Sequence, residues 1–282
     1  MTKAKRIAIL APKTHTFYNY IYIVFARSTK QNSPCQILSY GQILVILPPP
    51  ILTHTMNNIF THDIIDSAAG LTELIKQIGL LPLLDSGISG FDAESIVDDD
   101  CRYVTFPDGG WDWPLWKWKG PIIASGICAY GKFFAKKAGF VSLEWWPDLC
   151  NYRRNSSPEI EEGSVEEIIL ATLKERGSMI TRELRKACGF TGPKMRSLFD
   201  GYVTRLQMAC RIVTEDFVYP RDKHGNEYGW GWALLTTPEQ RYGHELCQCS
   251  RTPEQSYERL LKHLKNMLPK TDENQICKLL KA

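Results

Sequence analysis

The stretch from Ser164 to Leu235 constrains the fold most, because its helix and strand signals come in an order few architectures share. Ser164 to Glu167 is an S-x-x-E capping box. It opens a helix whose apolar side runs Val165, Ile168, Ile169 and Leu173, and Gly177 closes it. A second short helix, Thr181 to Cys188, buries Ile180, Leu184 and Ala187 and stops at Gly189. A third opens at Thr191, Gly192 and Pro193, with proline at a first-turn position where its missing N–H costs nothing. Met195, Leu198, Phe199, Tyr202, Val203 and Leu206 form its apolar face. The opposite face carries Ser197, Asp200, Gly201 and Thr204, flanked by Lys194 and Arg205 on one side and Arg196 on the other. A hairpin follows: Arg211 to Tyr219, a polar turn from Pro220 to Asn226, and a return from Tyr228 to Leu235. In that return Tyr228, Trp230, Trp232 and Leu234 alternate with Gly229, Gly231 and Ala233, which turns both tryptophans onto the helices. Helix, short helix, third helix, hairpin with a basic tip is the order of a winged helix-turn-helix. The third helix of that fold usually enters the DNA major groove.

Charge agrees with that use. From Lys174 to Lys223 there are eleven Lys/Arg against six Asp/Glu, while the whole chain carries a net charge of only +3. The candidate DNA-contacting residues are Lys194, Arg196, Ser197, Thr204 and Arg205 on the third helix, and Lys223 and His224 on the wing. Arg153 and Arg154, just before a polar linker from Asn155 to Gly163, suit phosphate contacts at a domain edge. The plainer alternatives are a winged helix used for protein contacts and a solvated arginine pair.

Residues 1–55 look unlike the rest. They contain a basic start, an apolar patch from Phe17 to Phe25 and three consecutive prolines, and no acidic residue occurs before Asp63. They read as a disordered or non-native extension with Met56 as the start. Ile7 to Ala11 is too short for a signal-peptide core. Nine cysteines scattered without ligand spacing, Cys247 and Cys249 being the one close pair, argue against zinc and for a reducing cytoplasm. No apolar run reaches a membrane span, and phosphate-loop, dinucleotide and His-Glu-x-x-His motifs are absent from the sequence. No metal, small-molecule cofactor or membrane partner is expected.

Within residues 56–155, Asp63 to Ile78 reads as a helix with Ile64, Ile65, Leu71, Leu74, Ile75 and Ile78 inward, ended by Gly79. Ser89 to Asp100 reads as a short acidic helix, Arg102 to Phe106 as a strand, and Tyr130 to Ala138 as a helix carrying Lys132, Lys136 and Lys137. Trp111, Trp113, Trp116 and Trp118, interleaved with Lys117 and Lys119, form either a stacking platform for unpaired bases or the packing of a small domain. After residue 236, Thr252 to Gln255 is another capping box. The helix it opens turns Leu260, Leu261, Leu264 and Leu268 inward, and Asp272 to Leu280 forms a last helix; residues 237–282 should pack on the body.

The segment from Tyr130 to Phe140, then Leu143 to Pro147 and Arg153-Arg154, followed by the unit from Ser164, resembles AlkZ/YcaQ-type DNA glycosylases, closest to the AlkZ-related branch. The resemblance spans roughly Asp63 to Leu235. It implies an α+β, mainly helical fold of tandem winged helix-turn-helix units with short hairpin wings, residues 56–155 standing for the N-terminal region and 164–236 for the second unit. It implies double-stranded or damaged DNA as partner, and hydrolysis of N-glycosidic bonds to alkylated or crosslinked bases where the enzyme is active. The family's Gln-x-Gln or Gln-x-Asp pair falls here on Pro82 and Leu84. Neither can hold a water or meet an oxocarbenium-like sugar. Asp85 lies one residue late. The resemblance therefore carries over the DNA-binding fold and leaves the catalytic residues unassigned. The alternative is a winged-helix transcriptional regulator without enzymatic activity.

Overall fold

The computed structural model describes residues 65 to 281 except Pro193; the expectations for residues 1–55, Met56, Ile64 and Pro193 lie outside the described residues. The architecture is α+β, with three small antiparallel sheets. Helix α1 (Ala68–Ile78) starts at Ser67, whose hydroxyl accepts the Gly70 N–H at 3.2 Å. It buries Leu71, Leu74, Ile75 and Ile78, each such apolar side chain contributing roughly 1.5–3 kcal/mol. Gly79 ends it at φ +78°, where the Trp145 ring occupies the space a Cβ would take. Strand β1 (Leu80–Pro82) follows at once.

The expected acidic helix over Ser89 to Asp100 is two separate turns, α2 (Ala93–Ile96) and a 3₁₀ turn at Asp99–Cys101. The reason is local. Asp92 accepts the Ser95 N–H at 2.8 Å and Asp98 the Asp100 N–H at 3.0 Å, so each aspartate starts a new turn instead of extending the old one. Strands β2 (Val104–Thr105) and β3 (Trp111–Asp112) pair across the Asp108–Gly110 turn and lead into α3 (Pro114–Ala124).

Tyr130 to Ala138 is not a helix. It lies in a hairpin of β4 (Cys128–Phe134) and β5 (Lys137–Ser142), reversed by Ala135 and Lys136 at φ +48° and +69°. Gly131 and Gly139 sit opposite one another in it. A Cβ on Gly139 would stand 2.6 Å from the Leu81 carbonyl oxygen, so β1 closes onto β5 only because the residue is glycine. The sheet order is β1-β5-β4.

Helix α4 (Trp146–Ser156) carries the chain across, running two residues into the expected linker. Helix α5 (Val165–Arg176) is capped by Ser164, which accepts the Glu167 N–H at 3.2 Å; the Glu167 carboxylate returns to Gly163 N–H, not to Ser164. Then come β6 (Met179–Ile180), α6 (Thr181–Ala187), α7 (Met195–Met208), β7 (Val213–Val218) and β8 (Trp232–Thr236), with sheet order β6-β8-β7. This second segment repeats the first: a helix, a short strand that joins the sheet beside the last strand, further helix, then a hairpin.

Two apolar cores result. Ile169, Leu173, Leu184, Phe199, Val203, Leu206, Ile212 and Leu235 make the smaller one. After α8 (Pro238–Tyr242), helices α9 (Pro253–Met267) and α10 (Glu273–Leu280) return to the first segment and insert Leu260, Leu264, Met267, Ile276, Leu279 and Leu280 into the larger core. Helix α9 lies along α4. Asp148 of α4, fully buried, joins them by accepting from Arg251, Arg259 and Ser256.

Candidate nucleic-acid interface

Helix α7 presents only part of the surface its sequence suggests. Lys194, Arg196 and Ser197 are exposed in its first turn, and so are Met195 and Leu198 of the expected apolar face. Further along, the face carrying Thr204 packs on the β4–β5 hairpin. Lys132 donates its ammonium to the Thr204 hydroxyl at 3.1 Å and its backbone N–H to the Gln207 side chain at 3.2 Å. Arg205 bridges to Glu166 at 2.8 Å and lies over the Tyr202 ring. The exposed cations of this helix are therefore those at its start, Lys194 without an ion-pair partner among the described residues and Arg196 at 3.9 Å from Asp200.

The arginine pair lies inside the molecule. Arg153 is fully buried; its guanidinium donates to the carbonyls of Phe133 (2.8 Å), Met208 (3.0 Å) and Leu279 (3.3 Å), and burial lowers its pKa. It joins the two segments and α10, and in this position it does not reach an external phosphate. Arg154 donates to the Cys210 carbonyl and bridges to Glu239 at 2.6 Å. Arginine repetition in a sequence does not distinguish a phosphate clamp from a buried tie among carbonyls.

The hairpin is where the structure departs most usefully from expectation. Strand β8 begins at Trp232, not Tyr228, because Gly229 and Gly231 take φ +75° and +70° and break the alternation. Trp230 is thereby turned away from the helices of its own segment and stacks on Trp111 of β3, ring centroids 5.2 Å apart and 23° from parallel. Trp111 in turn stacks on Tyr103 at 5.7 Å and 25°. Tyr103, Trp111 and Trp230 are 47%, 48% and 51% exposed, so three near-parallel rings form a column open to solvent. Trp113 and Trp116, stacked at 4.9 Å, stand behind it, with the Trp116 ring edge-on to Trp230 at 5.5 Å. The tryptophan run thus divides: Trp111 is exposed, while Trp113, Trp116 and Trp118 are half-buried against the core. Trp232 is half-buried and lies beneath the Arg182 guanidinium.

Beneath this wall lies Lys119, fully buried, its ammonium 3.8 Å from the Trp116 ring centroid and 3.1 Å from that of Phe217. Its Nζ has no hydrogen-bond partner among the described residues. Burial brings its pKa down to about 7, opposed in part by the charge of Asp216.

Next to the column is the hairpin tip. Asp222 accepts the N–H groups of His224 (2.8 Å) and Asn226 (2.9 Å), which shape the turn and hold its carboxyl below the usual range. Arg221 pairs with Glu227, leaving the Lys223 and His224 side chains exposed and without a partner among the described residues. Tyr103 and Trp230 were the residues missed as candidates; the glycines flanking Trp230 were the available signal, since such a pair marks a turned-out residue as readily as a strand.

The structure has apolar groups at Pro82 and Leu84, where the resemblance would put a polar pair. Pro82 is buried opposite Gly139 in the sheet, and Leu84 packs half-buried on the larger core. Asp85 is exposed. It accepts the Gly87 N–H at 2.9 Å and pairs with Lys137 at 3.1 Å, and the two contacts lower its pKa. Asp85 is a turn residue whose carboxyl is held toward its ionised form. Among the described residues no group of three His, Cys, Asp or Glu could hold a metal ion, and no helix is long and apolar enough to cross a membrane.

Residues 65–281 match the model of a family described as AlkZ related. No curated protein and no solved structure matches the chain.

Proposed function

The chain belongs to the AlkZ-related family, and from that premise we propose that it is a DNA-binding, glycosylase-like protein acting in DNA repair. We read both repeated segments as winged helices. The support is their shared order and the matching sheets β1-β5-β4 and β6-β8-β7, in which the short strand after the first helix pairs with the last strand of the hairpin. The observation that carries the function is the solvent-open column Tyr103–Trp111–Trp230 beside a basic hairpin tip. Stacking on exposed rings is worth roughly 1–3 kcal/mol per base and needs a base outside the duplex stack, as a damaged or mispaired base offers. Lys194, Arg196 and Lys223 supply the cations for backbone contact, with the exposed His224 side chain beside them. The eight described cysteines are all free, which fits a reducing cytoplasm.

Fluorescence anisotropy with a duplex carrying one unpaired base, against the fully paired duplex, tests the reading. The parent protein should prefer the unpaired base by roughly five- to a hundredfold, from the stacking energy of one base. Trp230→Ala should abolish that preference while leaving the paired duplex bound as before. Equal affinity of the parent for both duplexes would contradict it.

A further inference from the structure

We propose that the cleft between α5, α8 and the residues leading into β7 binds a phosphate group, free or carried as a monoester. The cleft has a volume of about 380 Å³, within the roughly 300–1,000 Å³ of small-ligand sites, and is larger than a bare anion needs. Arg154, Lys174, Arg211 and His244 line it, with Glu239 as its one carboxylate. That carboxylate is already committed: it holds Arg154 at 2.6 Å, and Arg154 also donates twice to the Cys210 carbonyl. The side chain of Arg211, the next residue, has no hydrogen-bond or ion-pair partner among the described residues, and its Nε is shut off from solvent. Burial and the neighbouring Arg154 charge both disfavour its cationic form. The Lys174 and His244 side chains are exposed and have no partner among the described residues.

The floor of the cleft is fixed. The Thr237 hydroxyl donates to Gln240 at 2.9 Å, and the Gln240 amide donates to the Leu173 carbonyl at 3.1 Å. The adjoining smaller cleft adds Glu167, which is occupied with the Gly163 N–H. The site therefore has its donors in place and lacks an acceptor. A planar guanidinium fork beside an ammonium and an imidazole is suited to a tetrahedral dianion, whose two charges would offset the Arg154–Arg211 repulsion. The proposal does not depend on the aromatic column or on DNA binding.

The test is isothermal titration of the full chain with inorganic phosphate, against chloride at matched ionic strength, and with thymidine 5′-monophosphate against thymidine. Phosphate should bind and chloride should not, and Arg211→Met and Lys174→Gln should each weaken phosphate at least about tenfold, the loss of one charge-assisted contact. Lys262→Met, exposed on α9, should leave it unchanged. Tighter binding of the monophosphate than of phosphate assigns the site to a phosphorylated ligand, and equal binding assigns it to the free anion; either supports the proposal. Chloride binding like phosphate, thymidine binding like its monophosphate, or parent affinity in both cleft variants would overturn it. Lys174 is exposed, so its variant remains informative should Arg211→Met fail to fold.

Discussion

Replacing Lys119 by methionine should stabilise the protein at neutral pH, and by an amount the structure sets. The ammonium is fully buried without a hydrogen bond, and its pKa falls from 10.5 to about 7. At about 1.4 kcal/mol per pH unit, that gap corresponds to an upper bound of about 5 kcal/mol. The contacts with the Trp116 and Phe217 rings return on the order of 1–2 kcal/mol, leaving a net cost near 3 kcal/mol. The sign with pH follows from proton binding. Between about pH 7 and pH 10.5 the unfolded chain holds this proton and the folded one does not, so stability rises with pH across that window. Below about pH 7 the penalty is fully present. Methionine fills similar volume without a charge. At about pH 7 Lys119→Met should melt roughly 6–12 °C higher, from the 2–4 °C per kcal/mol expected of a chain this size. Near pH 10 the parent and variant should agree within about 1 kcal/mol, since Lys119 is then neutral in the folded state and the unfolded chain, about half a unit below the ordinary pKa, gains under about 1 kcal/mol by keeping the proton. Calorimetry of both proteins at the two pH values measures this directly, and other titrating groups cancel in the difference. A variant less stable than the parent at neutral pH, or a difference that ignores pH, would refute the reasoning.

Three further outcomes follow from the geometry. Asp148→Asn should lose roughly 3–5 kcal/mol in urea unfolding, because it strips the charge that holds Arg251 and Arg259 against a fully buried position. Trp230→Ala should lower stability by no more than about 1 kcal/mol, since the ring is half exposed; a loss nearer the 3–5 kcal/mol of a core aromatic would mean that Trp230 belongs to the core. If Pro82 and Leu84 stand where the resemblance puts the family's polar pair, release of an alkylated base should run about 10²–10⁴ below a competent enzyme. Alkali cleavage after incubation should show few abasic sites, equally for parent and Asp85→Asn.

Local signals carried much of the fold. Ser164, Gly177, Gly79 and Thr252 cap helices as their residue types imply, since caps depend on a few neighbouring atoms. The hairpin at Ala135–Lys136 was not legible, because no Asn-Gly or Gly marks its turn and the reason for it, the fit of Gly139 under the Leu81 carbonyl, is a contact between distant residues. The same holds for Arg153, whose three carbonyl partners come from three other parts of the chain. Helical periodicity puts Thr204 opposite the apolar face of α7, yet that side meets β4, a long-range contact that periodicity does not encode. Trp230 shows the limit of strand alternation, which holds only while every intervening residue keeps an extended φ.

The claim that the molecule binds nucleic acid through this surface is tested most directly by the salt dependence of its affinity for a duplex with one unpaired base. The exposed cations Lys194, Arg196 and Lys223, with Arg221 in reach once released from Glu227, would make three to four phosphate contacts. The slope of log affinity against log salt should then be about −3. A slope near zero, or no measurable affinity at low salt, would contradict the account.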